Sequence, residues 1–376
     1  MSWDIAGIGA VANIGRTPDE IFQALCAGQE LRAPLRAFDL TKYRSRHAYE
    51  IDDRTDGADE PLRATRWLHQ SIDQALADAG LEPDLSDIPV LVGTTLREQR
   101  SAELWWRTGA AFSPADFHFG TALRASYGAE QTYTLANACS ASLYALAMAG
   151  DLIELDEADT VVVAGADAIT ESAFGTLDRI QNDSPEALRS FDRSHKGMLM
   201  GEGAVAVVLR RSGSAEGPRA RLRGVGVNCD ASHPTAPDRD SIGWAIRDAH
   251  RRADVRAEEV DLVMLHGTGT PRNDETEAGV MSDIFGSGSQ TPLMTAIKSM
   301  TGHTLGGSGL LSMVMAILAF QNGQVPPVLG LTDPIDEAVG LRLVQGTAAA
   351  AQPRIAQVNS FGFGGINAVA VIEAAS

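Results

Sequence analysis

Cys139 is the residue of this chain best placed to act as a nucleophile. It lies in the motif Ala-Cys-Ser-Ala-Ser (138–142), between a β-rich run at 131–135 and a helical run at 143–155. This order predicts that Cys139 stands at a helix N-terminus, where the helix dipole and unbonded amides favour a thiolate. A lone cysteine before an apolar helix is more often a small buried hydrophobe, so the prediction depends on what the rest of the chain supplies.

Two histidines in glycine-rich segments could serve such a nucleophile. His266 lies in Val-Met-Leu-His-Gly-Thr-Gly-Thr (263–270), and His303 closes Lys-Ser-Met-Thr-Gly-His (298–303). The run Asn-Ser-Phe-Gly-Phe-Gly-Gly (359–365) follows a short predicted strand, and its glycines let backbone N–H groups approach a substrate. Either histidine alone could be a buried structural residue. Together, one cysteine, two histidines and a donor loop predict a site that forms carbon–carbon bonds.

In their order along the chain, these motifs resemble those of the β-ketoacyl synthases, the elongating condensing enzymes of the thiolase superfamily. The matches include the cysteine and histidine motifs, Phe-Asp-Arg at 191–193, Gly-Glu-Gly-Ala at 201–204 and the C-terminal glycine-rich run, and they span most of the chain. The resemblance implies an α/β thiolase fold. In that fold two pseudo-equivalent βαβαβαββ halves form one five-layered α-β-α-β-α globule.

The residue pattern also predicts a duplicated α/β architecture. Apolar strands at 3–11 and 220–227 each carry a Gly-x-Gly, and each is followed by a loop, an amphipathic helix and a further buried strand. A Ser/Gly/Glu/Pro stretch at 211–218 has no apolar periodicity and marks the boundary. We therefore expect an N-terminal half at 1–215 with the nucleophile, and a C-terminal half at 216–376 with both histidines.

Composition narrows the classes of function. With 376 residues, 44% of them hydrophobic, and no run near the roughly 20 apolar residues of a membrane span, we expect no membrane segment. The start of the chain lacks the regions of a signal peptide, so we expect a cytoplasmic protein. A net charge of -18 argues against nucleic-acid binding. Three scattered cysteines without CxxC spacing predict reduced thiols and no metal site, and a lone Gly-x-Gly at 7–9 is no dinucleotide fingerprint.

The resemblance implies a mechanism. Cys139 attacks an acyl thioester, and the amides of Cys139 and Phe363 form its oxyanion hole. His266 and His303 then stabilise the enolate of a decarboxylated malonyl thioester through neutral N–H groups, and the carbanion attacks the acyl-cysteine. Phe363 corresponds to the phenylalanine that gates the acyl pocket. No cofactor is implied, because both substrates are carried on the phosphopantetheine of an acyl carrier protein.

Five further residues take roles through the same resemblance. Lys298 is expected to orient the site by pairing with Glu277, and Asp274 is expected to hold the same network. Thr268 and Thr270 match positions that hydrogen-bond the pantetheine arm. The resemblance thus implies that charged residues support the two histidines and that threonines beside them bind the pantetheine arm.

Arg63 and Arg66 are the candidates for carrier docking. They lie at the start of a predicted helix at 65–79, where the similar helix of the family carries basic docking residues. Their i,i+3 spacing places them on one helix face. An ordinary solvated face is an equally open interpretation. Because acyl carrier proteins and this chain are both acidic, docking requires a local basic patch.

The segment before the nucleophile departs from the family pattern. Only about 45 residues separate the predicted strand at 89–93 from Cys139. Five of its aromatic residues lie in a short span, 105–119: Trp105, Trp106, Phe112, Phe117 and Phe119. In the family this region builds the dimer interface and the acyl pocket. The departure favours specialised polyketide or fatty-acid-like elongation, by a homodimer or by a heterodimer with a homologous chain-length-factor-like subunit, over housekeeping fatty-acid elongation, which stays open.

Three other functions compete. A catalytically silent chain-length or scaffolding subunit lacks the cysteine, whereas this chain has Cys139. A degradative thiolase needs a second reactive cysteine in the C-terminal glycine-rich region, and 359–367 has none. A starter-type synthase presents a Cys-His-Asn set, which His303 disfavours. The condensing reaction therefore remains the prediction.

Overall fold

The computed structural model describes residues 2–55, 57–289 and 291–375. Its helices are α1 (Pro18–Cys26), α2 (Arg63–Asp78), α3 (Gln99–Thr108), α4 (Gly120–Tyr127), α5 (Ala141–Glu154), α6 (Glu171–Ile180), α7 (Arg239–Ala253), α8 (Pro271–Phe285), α9 (Lys298–Thr301) and α10 (Ser308–Asn322). Its strands are β1 (Trp3–Ala12), β2 (Ala33–Pro34), β3 (His47–Ala48), β4 (Val90–Gly93), β5 (Thr132–Leu135), β6 (Thr160–Asp167), β7 (Gly203–Arg211), β8 (Ala220–Cys229), β9 (Leu262–Met264), β10 (Leu293–Thr295), β11 (Gln324–Val325), β12 (Arg342–Leu343), β13 (Ala349–Ala350), β14 (Ile355–Gly362) and β15 (Ile366–Ala374).

The strand order of the main sheet repeats in the two halves of the chain. From the middle outwards, the N-terminal half runs β1-β7-β6-β4-β5 and the C-terminal half runs β8-β15-β14-β9-β10. In both halves the first two pairings are antiparallel and the last two are parallel. The halves join where β1 pairs with β8. The predicted duplication of the α/β topology is confirmed, and the stretch at 211–218 lies between β7 and β8.

The burial of apolar side chains defines five layers. Helices α5 and α10 lie between the two half-sheets, where side chains of both halves form one large core cluster. Helix α2 packs on the outer face of the N-terminal half-sheet. Helices α7 and α8 cover the outer face of the C-terminal one. This is the α-β-α-β-α order that the resemblance implies.

One segment differs from the expectation drawn from composition. Leu305–Asn322, which contains α10, is long and apolar enough to span a membrane. However, 89% of it is buried inside the protein. A helix that is apolar on all sides suits the central layer, because neighbouring elements cover every face of it.

Strand β14 reaches further than predicted and changes the setting of the glycine-rich run. It continues to Gly362, so Asn359 and Phe361 are strand residues that face α7 and α8. The turn is confined to the following residues, where Gly364 and Gly365 take positive φ angles of 88° and 77°. These angles favour glycine, so the sequence correctly indicated a tight turn but placed its start too early.

Candidate active site

Cys139 lies on a tight turn between β5 and α5. The turn is a 3-10 segment in which Ala138 has a φ of 48°, a left-handed conformation that is unfavourable for alanine. Strand β14 holds the turn in place. Ser140 Oγ donates to the Ser360 carbonyl (2.8 Å), and Ser360 Oγ donates to the Cys139 carbonyl (2.9 Å). These reciprocal bonds position the cysteine at the start of α5.

The structure brings Cys139, His266 and His303 together. The cysteine Sγ and one nitrogen of each histidine lie within 4.8 Å of one another. The two imidazole rings are nearly perpendicular, at 84°, with centroids 5.4 Å apart. All three side chains are buried. Three donor atoms this close could also ligate a metal ion, so the expectation of no metal stays a prediction.

Hydrogen bonds fix the protonated nitrogen of each histidine. The Leu305 amide donates to Nδ1 of His303 at 3.2 Å, so the ring proton is on Nε2, which has no partner among the described residues. Lys298 Nζ donates to the His266 carbonyl at 2.7 Å and lies 3.4 Å from Nδ1 of the same residue. Because an ammonium only donates, His266 also carries its proton on Nε2. Each histidine therefore offers one Nε2–H donor.

Burial sets the charges of these groups. It lowers the pKa of both histidines well below the usual 6.5, and the nearby Lys298 lowers them further. Both are therefore neutral at pH 7. Burial also lowers the pKa of Lys298 to about 8, against the opposing attraction of Glu277. The site at pH 7 thus combines two neutral N–H donors with one ammonium beside His266.

The expected thiolate at Cys139 was wrong. Burial raises the pKa of this thiol to about 11, although Lys298 and the amides of Phe363 and Cys139 act to lower it. Desolvation of the buried side chain outweighs these favourable contributions. The Cys139 thiol is therefore protonated at pH 7. The two amides that act on the sulfur are those predicted for the oxyanion hole.

Glu277 binds the turn that carries His266. Its carboxylate accepts from the backbone N–H groups of His266 (2.7 Å) and Gly267 (2.8 Å) and from the Asn359 amide (3.0 Å). Among the described residues, no ion pair joins it to Lys298. The predicted Lys298–Glu277 pairing is therefore not a direct ion pair. Glu277 attracts the Lys298 charge without contact, and both side chains bind His266, one at its side chain and carbonyl and the other at its amide.

Asp274 lies beside this carboxylate. It accepts from the Phe191 amide at 2.8 Å and from the Gly269 amide at 3.2 Å. The Asn273 side chain lies between the two acids, 3.2 Å from Asp274 and 3.3 Å from Glu277. Asp274 thus ties the Phe191 segment to the loop after His266.

Two cavities meet at Cys139. The first, of about 360 Å³, has mainly apolar walls, which include Leu96, Ala173, Leu177, Ile180, Met198 and Leu305. The second is much narrower and is lined by both histidines, Thr268 and Thr270. Phe363 and Met198 line both cavities. Phe363 therefore lies where the two cavities meet.

The five aromatic residues before the nucleophile do not line the cavity at Cys139. Trp105 and Trp106, on α3, are 51% and 81% exposed, whereas Phe119 is buried in the outer core of the N-terminal half. The segment therefore divides between surface and core. Its aromatic content does not set the walls of the apolar cavity within one chain.

The prediction that Arg63 is a docking residue was wrong. Its side chain is 2% exposed and forms ion pairs with Asp53 (2.7 Å), Asp59 (2.9 Å) and Glu202 (3.0 Å). Arg66 is 47% exposed and pairs with Glu60 at 3.2 Å. The i,i+3 argument failed because the start of α2 is covered by the acidic loop before it, so Arg63 turns inward. Only Arg66 remains at the surface.

Asp167 is a site residue that sequence reasoning missed. Its buried carboxylate accepts from the amides of Leu96 (2.7 Å) and Gly306 (2.8 Å). Asp167 therefore joins Leu96, in the wall of the apolar cavity, to the loop that follows His303. Burial raises its pKa to about 6, against these hydrogen bonds. The available signal was an acid at the end of an apolar strand, which alone indicates no partner.

Comparison with known proteins identifies the family. Models of the β-ketoacyl synthase N-terminal and C-terminal domains match residues 4–215 and 219–332. The 3-oxoacyl-[acyl-carrier-protein] synthase 2 of Synechocystis sp. is 31% identical over 96% of this chain and 95% of its own. That of Coxiella burnetii is 28% identical over 98% and 97%. The structure titled the ishigamide ketosynthase/chain length factor matches 100% of this chain and 99% of its own at 31% identity, with a TM-score of 0.89. This chain belongs to the β-ketoacyl synthase family.

Proposed function

We propose that the chain condenses an acyl group held on Cys139 with a malonyl thioester, with loss of carbon dioxide. The observation that carries the proposal is the convergence of one thiol and two neutral histidines within 4.8 Å. In the first half-reaction the Cys139 sulfur attacks the carbonyl carbon of an acyl thioester. The amides of Cys139 and Phe363 stabilise the oxyanion, and the thiol proton leaves with the departing carrier thiolate. The product is an acyl-enzyme whose chain occupies the apolar cavity.

The second half-reaction uses the two Nε2–H donors. A malonyl thioester enters the narrow cavity with its thioester oxygen between His266 and His303. Breaking the bond to the carboxylate releases carbon dioxide and leaves an enolate, whose negative oxygen the two donors stabilise. The Lys298 ammonium beside His266 adds to that field. The enolate carbon then attacks the acyl carbonyl, the Cys139 sulfur leaves as a thiolate and takes up a proton from water, and a β-ketoacyl thioester forms.

The substrates of this proposal arrive on phosphopantetheine. Thr268 and Thr270 contact each other at 2.9 Å through their hydroxyl groups and line the narrow cavity, which suits hydrogen bonding to the arm. The proposed partner is an acyl carrier protein in the cytoplasm. A second, homologous subunit is proposed because one similar structure is titled a ketosynthase/chain length factor. The possession of Cys139 makes this chain the active member of such a pair.

We propose specialised elongation as the pathway. It is supported by the short, aromatic segment before Cys139 and by 31% identity to the ishigamide ketosynthase/chain length factor. Housekeeping fatty-acid elongation is the second candidate, because the Synechocystis synthase is equally similar at 31%. The preferred acyl group decides between them.

The test is acyl capture. The purified protein and its Cys139→Ala variant are incubated with acyl-carrier thioesters of varied length and unsaturation, and intact masses are measured. We expect a mass gain in the wild type that Cys139→Ala abolishes. Cys229→Ala is the matched control, because Cys229 is the exposed thiol and its loss should leave capture unchanged. Failure of every donor to add mass to folded wild type would contradict the proposal and favour a silent subunit.

A further inference from the structure

A line of hydrogen-bonded side chains crosses the outer core of the C-terminal half and ends at the His266 turn. His250, on α7, lies 2.7 Å from Gln357 Oε1 through its Nε2. Gln357 donates to Asn359 Oδ1 at 2.7 Å, and Asn359 donates to Glu277 Oε1 at 3.0 Å. All four side chains are buried. We name these four residues the amide relay.

The carboxylate fixes the direction of every bond in the amide relay. Glu277 is surrounded by N–H donors, so Asn359 must turn its NH₂ group towards it. The Asn359 oxygen then faces Gln357, whose NH₂ group must donate, and the Gln357 oxygen is left for His250. His250 therefore donates through Nε2–H. Burial lowers the pKa of His250, so this donor is a neutral imidazole at pH 7.

The amide relay is a polar insertion in an apolar layer. Gln357 and Asn359 alternate on β14 and share the face that packs against α7 and α8, where the surrounding cluster is hydrophobic. The topologically equivalent strand, β6, fills its outer face with Val162, Ala164 and Ala166. The fold therefore does not require amides here. Buried amides also lower stability whenever one bond fails, which makes an apolar pair the simpler structural solution.

We propose that His250 and Gln357 are positioning residues for the decarboxylation step, acting through Asn359 and Glu277 to hold the His266 turn. Glu277 grips the His266 and Gly267 amides, so a displaced carboxylate moves the ring that carries the Nε2–H donor. Among the described residues, the side chains of the relay make no hydrogen bond to the turn that carries Cys139; Ser360, which binds that turn, lies on the opposite face of β14. The inference rests on the proposed function of His266, and it predicts that only one half-reaction depends on the relay.

The experiment measures the two half-reactions separately in the full-length protein. His250→Leu and Gln357→Leu each remove a link far from the substrate. We expect kcat for decarboxylation of a malonyl thioester to fall about tenfold, the rate equivalent of one lost buried hydrogen bond. The KM for that thioester and the rate of acyl capture on Cys139 should not change. A fall in kcat alone is what a loss of transition-state stabilisation predicts.

Two further variants separate positioning from stability. His250→Gln keeps an N–H donor for Gln357 and should recover most of the decarboxylation rate, whereas His250→Leu should not. Ile246→Val, in the same buried layer, should lower Tm without changing either half-reaction. If a leucine variant does not fold, His250→Ala, which also lacks the donor, gives the same comparison with His250→Gln.

The outcomes are distinct. The proposal is overturned if the leucine variants lose stability yet decarboxylate at the wild-type rate, or if they slow both half-reactions equally. If wild type itself neither captures acyl groups nor decarboxylates malonyl thioesters, the proposed function fails first and this inference falls with it.

Discussion

Topologically equivalent loops in the two halves carry different chemical groups. In the N-terminal half the third strand of the main sheet, β5, leads through the Cys139 turn into α5. In the C-terminal half the third strand, β10, leads through Lys298 and His303 into α10. Both helices lie in the central layer, so one duplicated topology delivers a nucleophile and a hydrogen-bond donor to one point. The repeated topology thus brings the two loops to one point, and their different residues supply different chemical groups.

The loops after the second strands differ in the same way. The loop after β4 contributes Thr95 and Leu96 to the wall of the acyl cavity, and its amides bind Asp167. The loop after β9 contributes His266, and its amides bind Glu277. Each loop is therefore held by a buried carboxylate. The loop after β4 lines the apolar cavity, whereas the loop after β9 carries the His266 hydrogen-bond donor. In the proposed reaction, the N-terminal half holds the acyl group and the C-terminal half activates the malonyl thioester.

The largest expected effect is the loss of acyl capture in Cys139→Ala. The N-terminal half offers no second sulfur at this turn, so removal of the nucleophile should reduce thioester adducts to the background of the other thiols. Malonyl decarboxylation should persist in this variant, because its donors lie in the other half. Mass spectrometry and carbon dioxide release measure the two activities. Capture that survived in Cys139→Ala would break the division of roles.

His303→Ala tests the other half. Loss of one donor to a developing oxyanion should slow malonyl decarboxylation by roughly 10²–10³-fold. Acyl capture on Cys139 should be retained, since the oxyanion hole of that step is made of amides. A stopped-flow or radiolabelled carbon dioxide assay gives the rate. Equal losses in both half-reactions would show that the histidine also serves the nucleophile.

Arg63→Met asks whether the charged cluster of the N-terminal half is structural. Removing one partner of a buried ion pair costs about 3–5 kcal/mol, because the carboxylates left behind remain buried. We expect a matching fall in the free energy of unfolding in urea. Arg66→Met is the matched control and should change it by no more than about 0.5 kcal/mol, as for an exposed residue. Similar effects of the two changes would contradict the inward orientation of Arg63.

The pH dependence should run in opposite directions for the two half-reactions. Acyl capture should rise with pH towards about 11, because burial keeps Cys139 protonated below that value. Decarboxylation should fall as pH passes about 8, where Lys298 loses the proton that it donates near His266. Lys298→Met should be slower at pH 7 and should lack this alkaline fall. Parallel profiles for the two half-reactions would refute these assignments.

Arg66→Glu is expected to have the smallest effect. The residue is exposed and already paired with Glu60, so a change of sign should raise KM for an acyl carrier protein by only about twofold to fivefold, as rim charges do. Reactivity towards a small thioester should not change. An unaltered KM for the carrier would remove α2 from the docking surface.

The order of several motifs along the chain was sufficient to propose Cys139, His266 and His303 as one site, because each motif is written in consecutive residues. The structure brings the three side chains together. The duplicated topology was visible for the same reason, in repeated strand and helix patterns. The charge state of Cys139 could not be predicted from the sequence, because the burial of its side chain depends on β14 and on the loop after His303. The inward turn of Arg63 depends on Asp53, Asp59 and Glu202, which approach only in the folded chain.

Contacts between residues distant in sequence explain why the remaining site residues were not predicted. Asp167 contacts loops from both halves, and Glu277 contacts backbone amides in place of the lysine assigned to it. His250 and Gln357 belong to elements that read as an ordinary helix and an ordinary strand. Neither residue carries a local signal, because each acquires its role from a neighbour more than a hundred positions away or from the far end of a relay.

Phe363 stands between a wide apolar cavity and a narrow polar one, and this position has a consequence in time. The acyl-enzyme must survive while one carrier leaves and another arrives. In the proposed reaction, an acyl chain in the apolar cavity is partly shielded from water by Phe363, and this shielding would lengthen the lifetime of the thioester. The acyl group of the first carrier would thereby remain on the enzyme until the second carrier binds.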